Sequence, residues 1–167
     1  MRKKRIISTC LVVFWMVLIF SFSAKDATVS TQMSTSVGEM VCKIFVPGYT
    51  EWSGEEQYEL AAKIDYPIRK TAHAAEYAVL GGLLLCMYES YLQKRGKTFL
   101  LAFVTGMLYA AGDEVHQLFV PGRSGQVSDV LLDSAGVFAG VGIAFIILRA
   151  WNRKRTLFSH SQMKETT

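Results

Sequence analysis

Three segments of the chain set ionisable side chains into otherwise apolar runs: RKTAHAAEY at 69–77, DEVHQ at 113–117 and SDVLLD at 128–133. His73 and Glu76 are three apart, Asp113 is three from His116 and four from Gln117, and Asp129 is four from Asp133. Within helices, each set shares one face. Imidazole beside carboxylate is equipment for proton transfer, so His73 or His116 with Glu76 or Asp113 forms a candidate acid and base pair for phosphoryl or acyl chemistry on a lipid-linked substrate. Asp113-x-x-His116 also puts two metal-ligand types on one face, but a second such motif is missing and HAAE at 73–76 runs in reverse. No cofactor is identified, and a divalent metal stays an open alternative. No Ser or Cys nucleophile motif supports acyl transfer. The competing reading is a buried ionic network in which Arg69, Lys70 and Arg123 neutralise the acids and hold the helices in register.

The elements that must position these groups are membrane helices. With 167 residues, 51% hydrophobic content and only three prolines, the chain has room for one domain, and its apolar residues fall in blocks. Residues 6–22 carry no charge and follow the basic run Arg2, Lys3, Lys4, Arg5. A cleaved signal peptide is the rival to a retained helix there, with Ser21 and Ser23 as small residues for cleavage, but the apolar core exceeds the usual signal length. Further blocks at 72–91, 99–120 and 127–151 are each long enough to cross. The expected fold is an all-α polytopic membrane bundle of four transmembrane helices, comprising an N-terminal helix, an outer loop at 23–71, a three-helix core at 72–151 and a basic tail at 152–167.

Basic residues orient it. The N-terminus, the QKRGK turn at 93–97 and the tail from Arg149 hold 12 of the 18 Lys and Arg, which predicts that both termini are cytoplasmic. The net charge of +4 therefore reports topology and calls for no nucleic acid partner. In this orientation all three polar clusters fall in the outer leaflet, with Glu76 roughly 6 Å, Asp113 roughly 10 Å and Asp133 roughly 9 Å from their helix ends. An ionised side chain facing lipid at mid-membrane would cost about 2.5–3.5 kcal/mol, so the clusters are expected to face each other across the bundle interior. Transport is disfavoured because the polar residues stop in the outer half and the inner ends are mainly Leu, Met, Phe and Ile. Gly136 and Gly140 continue the Asp133 face as a small-residue seam for packing.

In the outer loop, SFSAKDATVSTQMSTS reads as a solvated Ser/Thr-rich linker. Met33, Val37, Met40, Val41 and Ile44 then recur at helical spacing, predicting a helix on the membrane face that Pro47 and Gly48 end. A second amphipathic piece at 55–66 precedes Pro67 and the second span. VPGRS at 120–124 predicts a type II turn with Gly122 at positive φ, leaving Arg123 at the pocket rim to pair with Asp113, Glu114 or Asp129 or to meet an anionic head group. Ser128 fits the cap of the last helix. Cys10, Cys42 and Cys86 form neither a disulfide framework nor a metal spacing.

Together RKTAHAAEYAVLG and DEVHQLFVPGRSGQVSDVLLDSAG, behind an N-terminal apolar helix, resemble the VanZ-like membrane proteins, over most of residues 1–148. The resemblance implies a multi-pass protein of the bacterial cell membrane, related to a founding member associated with low-level teicoplanin resistance. The positions matching the family's polar motifs are Arg69, Lys70, His73, Glu76, Tyr77, Asp113, Glu114, His116, Gln117, Arg123, Asp129 and Asp133. Ala74 and Ala75 depart from the pattern, standing where relatives often have an aromatic. The expected partner is a membrane lipid or lipid-linked wall precursor in an outward-facing polar pocket, with Arg69, Lys70, Tyr77, Gln117 and Arg123 binding it. A membrane-embedded enzyme is the alternative, and oligomerisation is left open.

Overall fold

The computed structural model describes residues 2–92 and 95–165. Those residues are all-helical: α1 (Arg2–Ser23), α2 (Ala27–Phe45), a short 3-10 turn (Tyr49–Glu51), α3 (Gly54–Leu92), α4 (Arg95–Gln117) and α5 (Val127–Glu165), with no strand among them. Three helices are long and apolar enough to cross a membrane: Arg2–Ser23, Gly96–Gln117 and Val127–Arg153. The apolar stretch of α3 is not among the three, because His73, Glu76 and Glu89 interrupt it. It is instead the most enclosed helix, touching each of α1, α2, α4 and α5. Gln93 and Lys94 of the expected QKRGK turn, and the last two residues of the expected tail, lie outside the described residues. Alpha-5 continues beyond Trp151, so the expected tail begins as helix.

Alpha-1 runs antiparallel to α3, and side-chain bonds to α3 and to α4 set its register. The Arg5 guanidinium donates to the Ser90 carbonyl at 3.0 Å, and the Trp15 indole donates to the Glu76 carbonyl at 2.9 Å. On the neighbouring helix, the Tyr109 hydroxyl donates to the Met16 carbonyl at 2.6 Å. The core between the long helices is made of Ile19, Tyr77, Leu80, Leu84, Ala110 and Val137 with their neighbours. The opposite faces of α1, α4 and α5 leave large apolar side chains exposed, among them Phe14, Val17, Leu108, Phe138, Ile143 and Ile146. In water such a surface would be a cost, and in lipid it is not.

The α3–α5 crossing is closest of all at its glycines. A Cβ on Gly136 would overlap the Ala74 carbonyl, one on Gly140 the Ala78 carbonyl, and one on Gly81 the Val137 carbonyl. The expected small-residue seam is therefore real, and it brings Asp129 and Asp133 of α5 beside Lys70 and His73 of α3.

Two parts of the outer segment differ from expectation. The Ser/Thr-rich stretch is not a linker but the first half of α2. Asp26 starts it, its carboxylate accepting from the Val29 amide at 2.8 Å. Ser34, Thr35, Gly38 and Cys42 then form a buried small-residue face, with Gly38 so close to α3 that a Cβ would stand 3.2 Å from the Ala61 carbonyl. The 55–66 piece is likewise no separate element, because α3 continues through Pro67. An interior proline costs about 3 kcal/mol through a lost bond and a clash, yet packing on α2 spans the position, with Ile64 and Ile68 both against Gly38. Alpha-3 opens on a reciprocal cap in which the Ser53 hydroxyl accepts from the Glu56 amide and the Glu56 carboxylate accepts from the Ser53 amide. Those bonds from Ser53 hold the exposed Glu56 carboxyl below its ordinary value. As expected, α2 stops before Pro47, and Gly48 takes a positive φ of 73°.

Candidate functional site

At one end of the bundle, the end of α1, the middle of α3, the end of α4 and the start of α5 converge, and all three polar clusters lie there. Asp113 is the hub. Its Oδ2 accepts from the Ser23 hydroxyl at 2.6 Å, the Tyr77 hydroxyl at 3.1 Å and the Gln117 amide at 3.4 Å. Glu114, one residue on, accepts from the same Gln117 amide at 3.0 Å and from the Gln126 backbone amide at 3.0 Å. Asp113, Glu114 and Gln117 are all buried. Buried carboxylates so arranged tie the connection between α4 and α5 back onto the bundle.

In front of this hub is a polar cavity of about 150 Å³. Lys70 and His73 of α3, Glu114 and Gln117 of α4, Arg123 of the turn, and Asp129 and Asp133 of α5 line it. The start of α2 closes it with Ala27, Ser30 and Thr31. Lys70 pairs with Asp129 across the α3–α5 crossing. Arg69 pairs with Asp65 one turn earlier at 3.2 Å and donates to the Thr31 hydroxyl at 3.3 Å, while Asp65 also accepts from Ser34. The expected ionic network is therefore present in part: Lys70 meets a clustered acid across two helices, whereas Arg69 meets Asp65 within α3 and Arg123 meets no acid at ion-pair distance among the described residues.

Arg123 is no partner of Asp113, Glu114 or Asp129. The turn forms as expected, with the Arg123 amide bonded to the Val120 carbonyl at 3.1 Å and Gly122 at φ 71°. It aims the guanidinium at neutral oxygens, the Lys25 carbonyl at 3.1 Å, the Gln117 side-chain carbonyl at 3.3 Å and the Phe22 carbonyl at 3.5 Å. Two of the three, the Phe22 and Lys25 carbonyls, lie at and just beyond the end of α1, where a cation is favoured. Burial, with Arg69 nearby, lowers the Arg123 guanidinium from its ordinary value, and it remains a cation. Nor is Ser128 a cap: α5 begins at Val127, the Gln126 carbonyl accepts the first amides, and the Ser128 hydroxyl lies 3.3 Å from the Gln126 side-chain oxygen.

Four of the expected members stand outside the lining of the polar cavity, the hub Asp113 behind it and three others. Tyr77 lies behind it in the core, fully buried against Asp113. His116 turns toward α1, its ring centroid 4.5 Å from that of Phe20, with Nδ1 buried and unpartnered. On a helix His116 lies about 60° to one side of Asp113 and Gln117 about 40° to the other, so the two point about 100° apart. Glu76 faces a second, mainly apolar groove of about 200 Å³ between α2 and α3, formed by Phe22, Met33, Val37, Ile68 and Ala72. The wall shared by groove and cavity is Ser30, Arg69, His73 and Arg123. Sequence reasoning missed Ser23, Asp65, Ser30 and Lys25. Ser23, Lys25 and Ser30 belong to the polar run after an apolar helix end, and Asp65 to the amphipathic piece at 55–66.

Chemically the arrangement offers cations and anions, only some of them paired, around water-sized space, and one candidate proton-transfer pair, His73 Nδ1 and Glu76 Oε2 at 3.8 Å. His73 Nδ1 is buried without a hydrogen-bond partner. Among the described residues no three His, Cys, Asp or Glu side chains gather so as to hold a metal ion. No curated protein and no solved structure matches the chain significantly. The VanZ/LLP1 family model, in contrast, matches residues 8–149, which takes in most of α1, the polar clusters and most of the membrane-length part of α5. With that match over most of its length and three helices able to cross a bilayer, the chain belongs to the VanZ/LLP1 family and is a VanZ-like membrane protein.

Proposed function

We propose that the chain is a four-span protein of the bacterial cell membrane with both termini cytoplasmic. In this reading its polar cavity opens outward, holds an envelope lipid or lipid-linked wall precursor by its head group, and thereby contributes to teicoplanin resistance. The single observation that carries the reading is the polar cavity itself, with Lys70, Arg123, Glu114, Asp129 and Asp133 drawn to one end of an otherwise apolar bundle. Supporting the topology, α3 from Ala72 onward runs antiparallel to α1 and is flanked by the other long helices, as a fourth span would be. The basic run at Arg2 to Arg5 lies at the end of the bundle opposite the cavity, where the positive-inside rule puts the cytoplasm.

Expression of the chain in a teicoplanin-susceptible bacterial host is expected to raise the inhibitory concentration, and Lys70→Gln or Asp133→Asn to return it to the host's value while the protein still reaches the membrane. An inhibitory concentration that is the same with and without the chain would sink the resistance reading. A second reading is a membrane-embedded enzyme acting on a lipid-linked substrate, favoured by the unpartnered His73 Nδ1 beside Glu76. Comparing envelope lipids of a deletion strain with those of the same strain carrying Glu76→Gln separates the two, since an enzyme predicts the same altered lipid profile in both and a binding protein predicts none.

A further inference from the structure

We propose that the polar cavity and the apolar groove are two halves of one site for a single diacyl phospholipid, its phosphate between Lys25 and Arg123 and an acyl chain along α2. This rests on the lipid-binding reading above and names the class of ligand. The two spaces share a wall that includes Arg69, His73 and Arg123, so a molecule spanning them would have a polar part on one side and an apolar part on the other. Met33 and Val37 of α2 are 42% and 50% exposed and line the groove, presenting a surface that an acyl chain would cover.

Charge selects the head group. Arg69 and Lys70 have carboxylate partners. Among the described residues neither Lys25 nor Arg123 has one at ion-pair distance. Among the described residues the Lys25 ammonium contacts the Met33 sulfur at 3.1 Å and the face of the Phe22 ring at 5.0 Å, both weak partners for a cation. Asp26, adjacent in sequence, is engaged in capping α2. Lys25 and Arg123 both line the apolar groove, so two cations without carboxylate partners stand at its polar edge. A phosphodiester supplies the missing anion and suits a guanidinium fork. An uncharged lipid would leave Lys25 and Arg123 without an anion at ion-pair distance, and a soluble anion would leave the groove empty.

The test uses the full chain, purified in detergent and stripped of lipid, with binding read by native mass spectrometry. Three probes separate the contributions: dioleoylphosphatidylglycerol, dioleoylglycerol and glycerol 3-phosphate. The phospholipid is expected to bind roughly tenfold or more tightly than either of the others, the increment of one charge-assisted contact. Lys25→Gln should lower phospholipid affinity by about tenfold, and Val37→Trp should block the groove, each without shifting the thermal unfolding midpoint because both side chains are at least partly exposed. Dioleoylglycerol binding as tightly as the phospholipid would overturn the phosphate site. Glycerol 3-phosphate binding as tightly as the phospholipid would overturn the groove's role while leaving the head-group cavity standing. Binding of none of the three would overturn this inference, and whether the lipid-binding reading falls with it is then decided separately by the teicoplanin measurement.

Discussion

Gly140→Ala is expected to lower stability by about 3 kcal/mol, and to do so through one methyl group. The new Cβ would overlap the Ala78 carbonyl oxygen and stand 2.5 Å from its carbon and 2.8 Å from the Ala78 Cα. These are backbone atoms of a helix packed on four neighbours, so nothing flexible is available to swing aside. The internal control is Gly142→Ala, whose Cβ would meet nothing within 4 Å and which should be neutral or slightly stabilising by helix propensity. Thermal unfolding of the two variants in detergent, followed by tryptophan fluorescence, checks the pair. Equal midpoints would mean that the α3–α5 crossing is looser than described, and with it the placement of Lys70 against Asp129.

Asp113→Ala is the second large effect, about 3 kcal/mol of lost stability. Removing the carboxylate strands the Ser23 and Tyr77 hydroxyls, both on residues with no exposure, and takes one of two acceptors from Gln117. A buried donor left without an acceptor costs about 1–3 kcal/mol, and the relief of no longer burying a carboxylate offsets part of the sum. Asp113→Asn keeps an oxygen where Oδ2 stands and should lose about half as much. Ser23→Ala removes one donor and should be mildest. That ranking, measured by the same unfolding assay, identifies Asp113 as the anchor between α1, α3 and α4. Three equal midpoints would show that the hub holds nothing together.

Much of this was legible before any coordinates. Hydrophobic blocks located the long helices because lipid-length apolar runs have few other uses, and the spacing of Asp129, Asp133, Gly136 and Gly140 marked one α5 face that packs as expected on α3. Gly122 could be assigned its positive φ because few residues other than glycine adopt it readily. Other features were hidden for physical reasons. The segment at 27–36 is polar in composition, so its helix was concealed, although the buried small residues Ser34, Gly38 and Cys42 do repeat every four positions. Pro67 argued for a boundary, and tertiary packing overrode it. Arg123 was expected beside the acids since opposite charges attract, but the carbonyls at the end of α1 were a partner that no one-dimensional spacing reveals. His116 illustrates the limit of helical phase. Shared spacing with Asp113 left about 60° undetermined, enough to carry it from the cavity to Phe20.

Whether the polar end of the bundle faces the outside is the claim on which the proposed function depends, and a side-specific label reads it directly. In a chain with Cys10, Cys42 and Cys86 replaced by Ala, a single cysteine is introduced by Ser124→Cys beside the cavity or by Gly96→Cys at the opposite end, both exposed positions. The account predicts that a membrane-impermeant maleimide applied to intact cells labels the Ser124→Cys chain, and labels the Gly96→Cys chain only after permeabilisation. The reverse pattern would contradict it, placing the cavity on the cytoplasmic side and out of reach of any outer-leaflet lipid.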